Sequence, residues 1–333
     1  MNKKDINYTV SVRLMTYMHA PFIKEAMEGI MMQETDFKVE IVIGDDFSTD
    51  GTLDIIRTYS DTDNIHIKIL KREKGDAYWQ KRQELGRLYN FINILENCSG
   101  KYVALLDGDD YWTDPLKLQK QVEFLEANKE YSMCFHKVDL IHPDLSISED
   151  NITNVPVRHE TIENLASRGN YIHTPSVLFR NDNLEWPDGF KLVPIGDFFL
   201  YMLLASNGKI GYIQEKMAVY RVGSGIWSGK SAYERNLKTA YTFALLIKTD
   251  LFSDKVNHIL IERIQSFLKR FQQNIDLESL VMLSITPSIE RAIYQCFIDS
   301  NRKENPGVSD DLTFKQLISR LKRKLINKTR IWK

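Results

Sequence analysis

The run Tyr102-Val103-Ala104-Leu105-Leu106 passes without a break into Asp107-Gly108-Asp109-Asp110. A short, continuous apolar run bounded by glycines predicts a strand covered on both faces, as in the middle of a parallel sheet. Three carboxylates within four residues at its exit repel one another, and such a cluster is costly unless protons or a cation neutralise it. Gly108 lets the backbone turn, and the Asp-x-Asp then presents oxygens suited to a hard divalent ion such as Mg²⁺ or Mn²⁺. The alternative is a polar turn in which Asp109 or Asp110 caps a following helix, although capping uses one carboxylate and not three.

Other segments repeat the theme. Tyr8 to Leu14 reads as a first strand and leads into Met15-Thr16-Tyr17-Met18-His19. After Pro21, apolar residues from Phe22 to Met31 fall at helical spacing. Val39 to Ile43 is a second strand that ends in Gly44-Asp45-Asp46, and Leu53 to Tyr59 a second helix. Ile65 to Leu70 is a third strand, followed by a charged loop, Lys71 to Asp76, and a helix from about Gln80 to Glu96. The alternation β-α-β-α-β-α-β predicts a parallel sheet with helices on both faces. Ligands of such sheets bind at the carboxyl ends of the strands. Three of those ends here carry Thr16/Tyr17, Asp45/Asp46 and Asp107/Asp109.

Beyond Trp112 the pattern predicts a helix after Asp114-Pro115, a strand over Ser132 to His136, and a polar loop from Pro143 to Pro156. A short helix then covers Thr161 to Ser167, and loop and strand cover Tyr171 to Arg180. Gly196-Asp197 precedes an apolar helix, Phe198 to Ala205, where Asp197 reads as an N-cap. Two short strands follow, Gly211 to Ile213 and Met217 to Arg221, then a Gly-rich loop around Trp227. From Tyr233 onward the chain reads as helical, with breaks near Asp250, Asn274, Pro287 and Pro306. We therefore expect one domain over 1–228 and a helical C-terminal region over 229–333. His173 reads as a structural residue or a ligand contact, Arg180 as an ion-pair partner, and Lys71, Arg72 and Lys74 as a solvated charge run. Trp227 reads as a packed residue or a lid.

The net charge of −1 gives no electrostatic case for a nucleic-acid partner. Cys98, Cys134 and Cys296 match no metal spacing and make a poor disulfide framework, which fits a reducing cytosol. No signal-peptide core and no apolar run near the ~18 residues of a span is visible, so export and membrane crossing are not expected. Residues 315–333 carry Lys315, Arg320, Lys322, Arg323, Lys324, Lys328, Arg330 and Lys333 without an acid. That stretch reads either as a solvated end helix or as a basic amphipathic contact to an anionic membrane, at its inner face.

Val10-Ser11-Val12 through Thr16-Tyr17, Glu40 through Thr52, and Gly100 through Asp110 together resemble glycosyltransferase family 2, inverting enzymes of the GT-A fold. Gly196-Asp197 and Met217-Ala218-Val219-Tyr220-Arg221 extend the likeness to about Trp227. The resemblance implies a Rossmann-like, mostly parallel α/β sheet and a transferase of the bacterial surface-glycan type. It implies a nucleoside-diphosphate sugar as donor, a UDP-sugar first among them, and a glycan or lipid-linked saccharide as acceptor. Thr16, Tyr17, Asp45, Asp46 and Asn90 then match positions lining the nucleotide. Asp107 and Asp109 match the Asp-x-Asp that holds Mn²⁺ or Mg²⁺, with Asp109 the direct ligand. Asp197 matches the base, and Arg221 lies where the family closes a loop over the diphosphate. The sequence departs from the family in Met18-His19 after Tyr17, and in the lack of a His after Arg221. The latter leaves the third metal ligand to water or phosphate.

Two other readings compete. A non-catalytic nucleotide- or metal-binding module, or a degenerate inactive transferase, fits the missing His. Receiver domains are far shorter than this chain and use a Thr and a Lys not found here. A glycosidase is disfavoured, because it sets two carboxylates on opposite sides of a sugar, about 5–10 Å apart.

Overall fold

The computed structural model describes residues 8–150, 160–182, 185–223 and 231–274. The chain divides into two compact units, Met1–Arg263 and Ile264–Lys333. Trp227, Cys296 and the basic stretch 315–333 lie outside the described residues.

The first half builds a parallel sheet. Its strands are β1 (Val10–Thr16), β2 (Val39–Asp45), β3 (Ile65–Ile69) and β4 (Tyr102–Asp107). They lie in the order β3-β2-β1-β4, all parallel. α1 (Ile23–Met31) and α2 (Thr52–Ile56) follow the first two strands. On one face of the sheet, alternate residues Val10, Val12, Leu14, Val39, Ile41, Ile43, Ala104 and Leu106 form a core. Ile23, Ala26, Met27 and Ile30 of α1 complete it, together with Leu118, Val122 and Leu125 of α5 (Lys117–Ala127). The other face is also covered, so Ser11, Arg13 and Glu40 are buried as well. Buried polar groups must find partners. Glu40 Oε1 accepts from Ser11 Oγ (2.5 Å), Ser99 N–H (2.6 Å) and Ser99 Oγ (2.8 Å).

The helix expected over 80–96 is two helices, α3 (Ala77–Leu85) and α4 (Leu88–Glu96). Gly86 between them has φ +69°, a left-handed conformation that costs other residues. α3 is capped by Asp76, whose side chain accepts from Trp79 N–H at 2.6 Å.

The second half turns the sheet mixed. β5 (Tyr111–Trp112), β6 (Tyr131–Ile141), β7 (Ile147–Glu149), β8 (Leu178–Arg180) and β9 (Lys209–Arg221) complete nine strands among the described residues. β8 pairs antiparallel to β4 and to β6, β6 runs parallel to β9, and β5 pairs antiparallel to β9. The two short strands expected near 211–221 are thus one long strand, and the strand expected over 132–136 extends to Ile141. Register shifts near His136 and Lys137 break the alternation that would have shown this. The loop expected from Pro143 holds β7, paired with the end of β6. Among the described residues Arg180 makes no ion pair: its guanidinium donates to the carbonyls of Tyr131 (2.9 Å) and Leu125 (2.5 Å).

α7 (Gly196–Ser206) packs on β6 and β9, and α6 (Ile162–Arg168) packs on α7. α7 is buried from Phe198 through Ala205, as an all-round apolar helix requires. α8 (Ala232–Lys248) and α9 (Asp254–Asn274) follow.

Lys117 is fully buried at the start of α5. It donates to Gln121 Oε1 at 2.6 Å and lies 4.1 Å from the centroid of the Trp112 ring. Burial lowers its pKa from 10.5 to about 7. The folded state therefore disfavours the charged lysine. The resulting penalty is complete below about pH 7, where folded and unfolded chains are both protonated, and fades as pH rises toward 10.5. Stability measured by denaturant from pH 7 to about pH 10 is expected to climb more steeply in the wild type than in Lys117→Met; equal slopes would refute this.

Candidate active site

The register of three strands assembles the site. Met15 lies between Gly44 of β2 and Asp107 of β4, and Thr16 lies opposite Asp45. Asp46 N–H donates to Thr16 O and Gly108 N–H to Met15 O, each at 2.9 Å. Thr16, Asp45, Asp46 and Asp107 therefore share one edge of the sheet. Thr16 is fully buried, while Tyr17 and Met18 stand exposed at the rim.

The carboxylates there have different partners. Asp45 accepts from Ser48 N–H (2.8 Å) and Ser48 Oγ (2.5 Å), and its burial raises its pKa. Asp46 is gripped by Arg82 of α3. Arg82 Nε lies 2.8 and 2.9 Å from the two oxygens, Nη2 donates to Oδ2 at 2.7 Å, and Tyr78 OH adds a bond of 3.1 Å. Asp107 Oδ1 accepts from buried Arg13 Nη1 at 2.7 Å. Burial still raises Asp107 to about 6, with Arg13 opposing the shift and Asp109 adding to it. Asp110 caps no helix. Its Oδ1 accepts from Arg221 N–H at 2.8 Å, and burial with the neighbouring charge of Asp109 pushes it well above the usual carboxylate range.

Arg221 is buried beside this turn. Its Nε donates to Asp109 O at 3.0 Å, its Nη2 to Glu25 at 2.7 Å, and its guanidinium lies 4.5 Å from the Phe22 ring centroid. It thereby pins the Asp107–Asp110 turn to α1 and β9. Asn90 of α4 donates to Gly44 O at 3.0 Å and accepts from Arg72 Nη1 at 2.6 Å. Arg72 is not solvated, as the charge run Lys71–Lys74 suggested. It also donates to Asp45 O (2.8 Å) and Asn93 Oδ1 (2.9 Å) and stacks 3.8 Å from the Tyr78 ring centroid.

Gly108 fits because the loop after β1 crosses it closely. A Cβ there would fall 2.7 Å from His19 Nδ1 and 3.0 Å from Thr16 Oγ1. Both of those atoms are buried without a hydrogen-bond partner among the described residues.

Asp197 lies within the first turn of α7, so it is not the N-cap. Its Oδ1 accepts from Phe198 N–H at 2.8 Å and its Oδ2 from Asn170 Nδ2 at 3.0 Å. Burial raises its pKa, while Arg13 opposes the rise, and the charge of Asp197 in turn adds to the rise at Asp107. His173 Nε2 lies 3.1 Å from buried Asp150, and its ring packs on Tyr220. Among the described residues no three His, Cys, Asp or Glu side chains gather as a metal cage. Asp107 and Asp109 still fit a divalent ion, because Mg²⁺ commonly takes one or two carboxylates and completes its shell with water and substrate phosphates.

Sheet order and acid-lined edge define a GT-A-type α/β domain. Residues 11–144 match the model of glycosyl transferase family 2, and the chain carries a domain of that family. An uncharacterized protein of Mycobacterium tuberculosis is 35% identical over 226 residues, 67% of this chain and 61% of that protein. The chain thus spans less than two thirds of that relative. The putative teichuronic acid biosynthesis glycosyltransferase TuaG of Bacillus subtilis is 29% identical over 189 residues, 53% of this chain and 70% of its own length. S. aureus TarS 1–349 in complex with UDP matches with a TM-score of 0.55 at 17% identity, covering 86% of this chain and 80% of TarS. The TarS complex with UDP-GlcNAc gives 0.54, covering 88% and 81%. At that identity the likeness speaks for the fold.

Arg82 and Asp46 form a largely buried bidentate pair. Arg82→Ala leaves the carboxylate without its cation, with only the Tyr78 hydroxyl as partner, and is expected to cost about 3 kcal/mol of stability. Asp46→Asn in the same background should recover part of that loss in denaturant melts; no recovery would refute the pairing.

Proposed function

We propose that the chain is an inverting, metal-assisted glycosyltransferase. It would move a sugar from a nucleoside-diphosphate donor to a hydroxyl of a glycan or lipid-linked saccharide. The observation that carries this reading is the meeting of Thr16, Asp45, Asp107 and the Asp109 turn at one sheet edge, with Asp197 in electrostatic reach. The family match supports sugar transfer. That the TarS structures hold UDP and UDP-GlcNAc supports trying a UDP-sugar first among donors.

Tyr17 and Asp45 line the nucleotide, and fully buried Thr16 supports them from beneath. Asp46 and Asn90 serve it from behind, through Arg82 and Arg72. Arg221 acts on the donor end by pinning the Asp109 turn. Asp109, with Asp107 beside it, would hold Mn²⁺ or Mg²⁺, which when bound supplies Lewis-acid neutralisation of the leaving diphosphate. Asp197 takes the proton from the acceptor hydroxyl as its oxygen bonds to the anomeric carbon. The bond from that carbon to the diphosphate oxygen breaks, and the configuration inverts. We assign this chemistry to residues 1–228 and set apart the region 229–333, of which α8 and α9 are described. Its basic end, 315–333, would suit peripheral contact with the inner face of a membrane, where a lipid-linked acceptor resides. No described helix is long and apolar enough to cross one.

Sugar release from a panel of UDP-, GDP- and dTDP-sugars is the direct test. Turnover is expected to vanish with chelator, return with Mn²⁺ or Mg²⁺, and be lost in Asp109→Asn. Asp197→Asn should lower kcat about 10²–10⁴-fold while donor binding persists. Full activity in Asp109→Asn would sink the metal assignment. Nucleotide binding without any product in the wild type would favour a binding module or an inactive transferase.

A further inference from the structure

Asn170 follows α6, in the loop that leads to β8. Its amide orientation is settled by its own backbone: Oδ1 accepts from Ile172 N–H at 3.1 Å. With the oxygen committed, the NH₂ end is the one that faces Asp197 Oδ2, at 3.0 Å. The other oxygen, Oδ1, accepts from Phe198 N–H at 2.8 Å in the first turn of α7, an end that favours negative charge. Two donors from two separate segments, one to each oxygen, therefore fix the plane of this carboxylate.

We propose that Asn170 is a positioning residue for proton transfer, orienting the Asp197 carboxylate toward the acceptor hydroxyl; this rests on reading Asp197 as the base. The NH₂ group can only donate, so it supports the ionised carboxylate, the form that accepts a proton. That support matters because the surroundings are divided. Burial opposes the charge of Asp197, Arg13 favours it, and Asp107, Tyr201 and Tyr220 interact electrostatically with the same carboxylate. Asn170 itself is exposed, so its replacement leaves the core untouched.

The test is the pH dependence of kcat, with KM for donor and acceptor, in the wild type, Asn170→Ala, Asn170→Ser, Asn170→Asp and Asp197→Asn. Asn170→Ala is expected to lower kcat about tenfold near neutral pH, the scale of one hydrogen bond to a charged group. Both KM values should change little, and the acidic limb should move to higher pH. Asn170→Asp places a like charge beside the base and should move that limb further. Asn170→Ser keeps a donor and should fall between wild type and alanine; it carries the comparison if the alanine variant melts early. A raised acceptor KM with unchanged kcat, or an acidic limb that stays in place, overturns the proposal. Full activity in Asp197→Asn would instead remove the base reading beneath it.

Discussion

Arg13 meets Asp107 at 2.7 Å from within the covered second face of the sheet. A buried guanidinium is costly alone, and the half-buried carboxylate it meets fixes it in one geometry. The pair sits where β4 leaves the sheet, one residue from the glycine that carries the turn. It lets the strand end in acid without expelling that end into water. The charge is not fully quieted, since Asp107 remains well above an ordinary aspartate. A site that keeps such residual tension suits a ligand bearing positive charge.

The neighbouring acids follow the same rule with other partners. Arg82 takes Asp46, Ser48 takes Asp45, and the backbone of Arg221 takes Asp110. Their partners come from α3, from the loop after β2 and from β9. The edge is thus braced from several sides, and the three strand exits keep their spacing.

Much of this was legible in the chain. Apolar runs that stop abruptly at Asp45 and Asp107 mark strand exits, and parallel pairing brings such exits to one edge. The supporting cations were not legible. Arg13 alternates with Val12 and Leu14 as an outward strand residue would, and only the cover on the second face buries it. Arg72 stands among Lys71, Glu73 and Lys74, where a solvated loop is the ordinary reading. Arg82 lies on a helix with a single buried residue, Tyr78, so no apolar stripe showed which face meets the sheet edge. The long β6–β9 pairing was hidden by its bulges, and Asn170 stands in a loop with no motif around it. One signal was available for the split of the helix over 80–96, namely Gly86.

Residues 71–86 form a panel beside the acid-lined edge that is stitched on by side chains. Arg72, Tyr78 and Arg82 reach the sheet edge, Asp76 starts the helix and Gly86 ends it. A replacement panel of other length or chemistry would need only to present a cation to Asp46 and a donor to the carbonyl of Asp45. Such an architecture permits the chemistry at one border of the acid-lined edge to be rewritten while the strands behind it stay as they are.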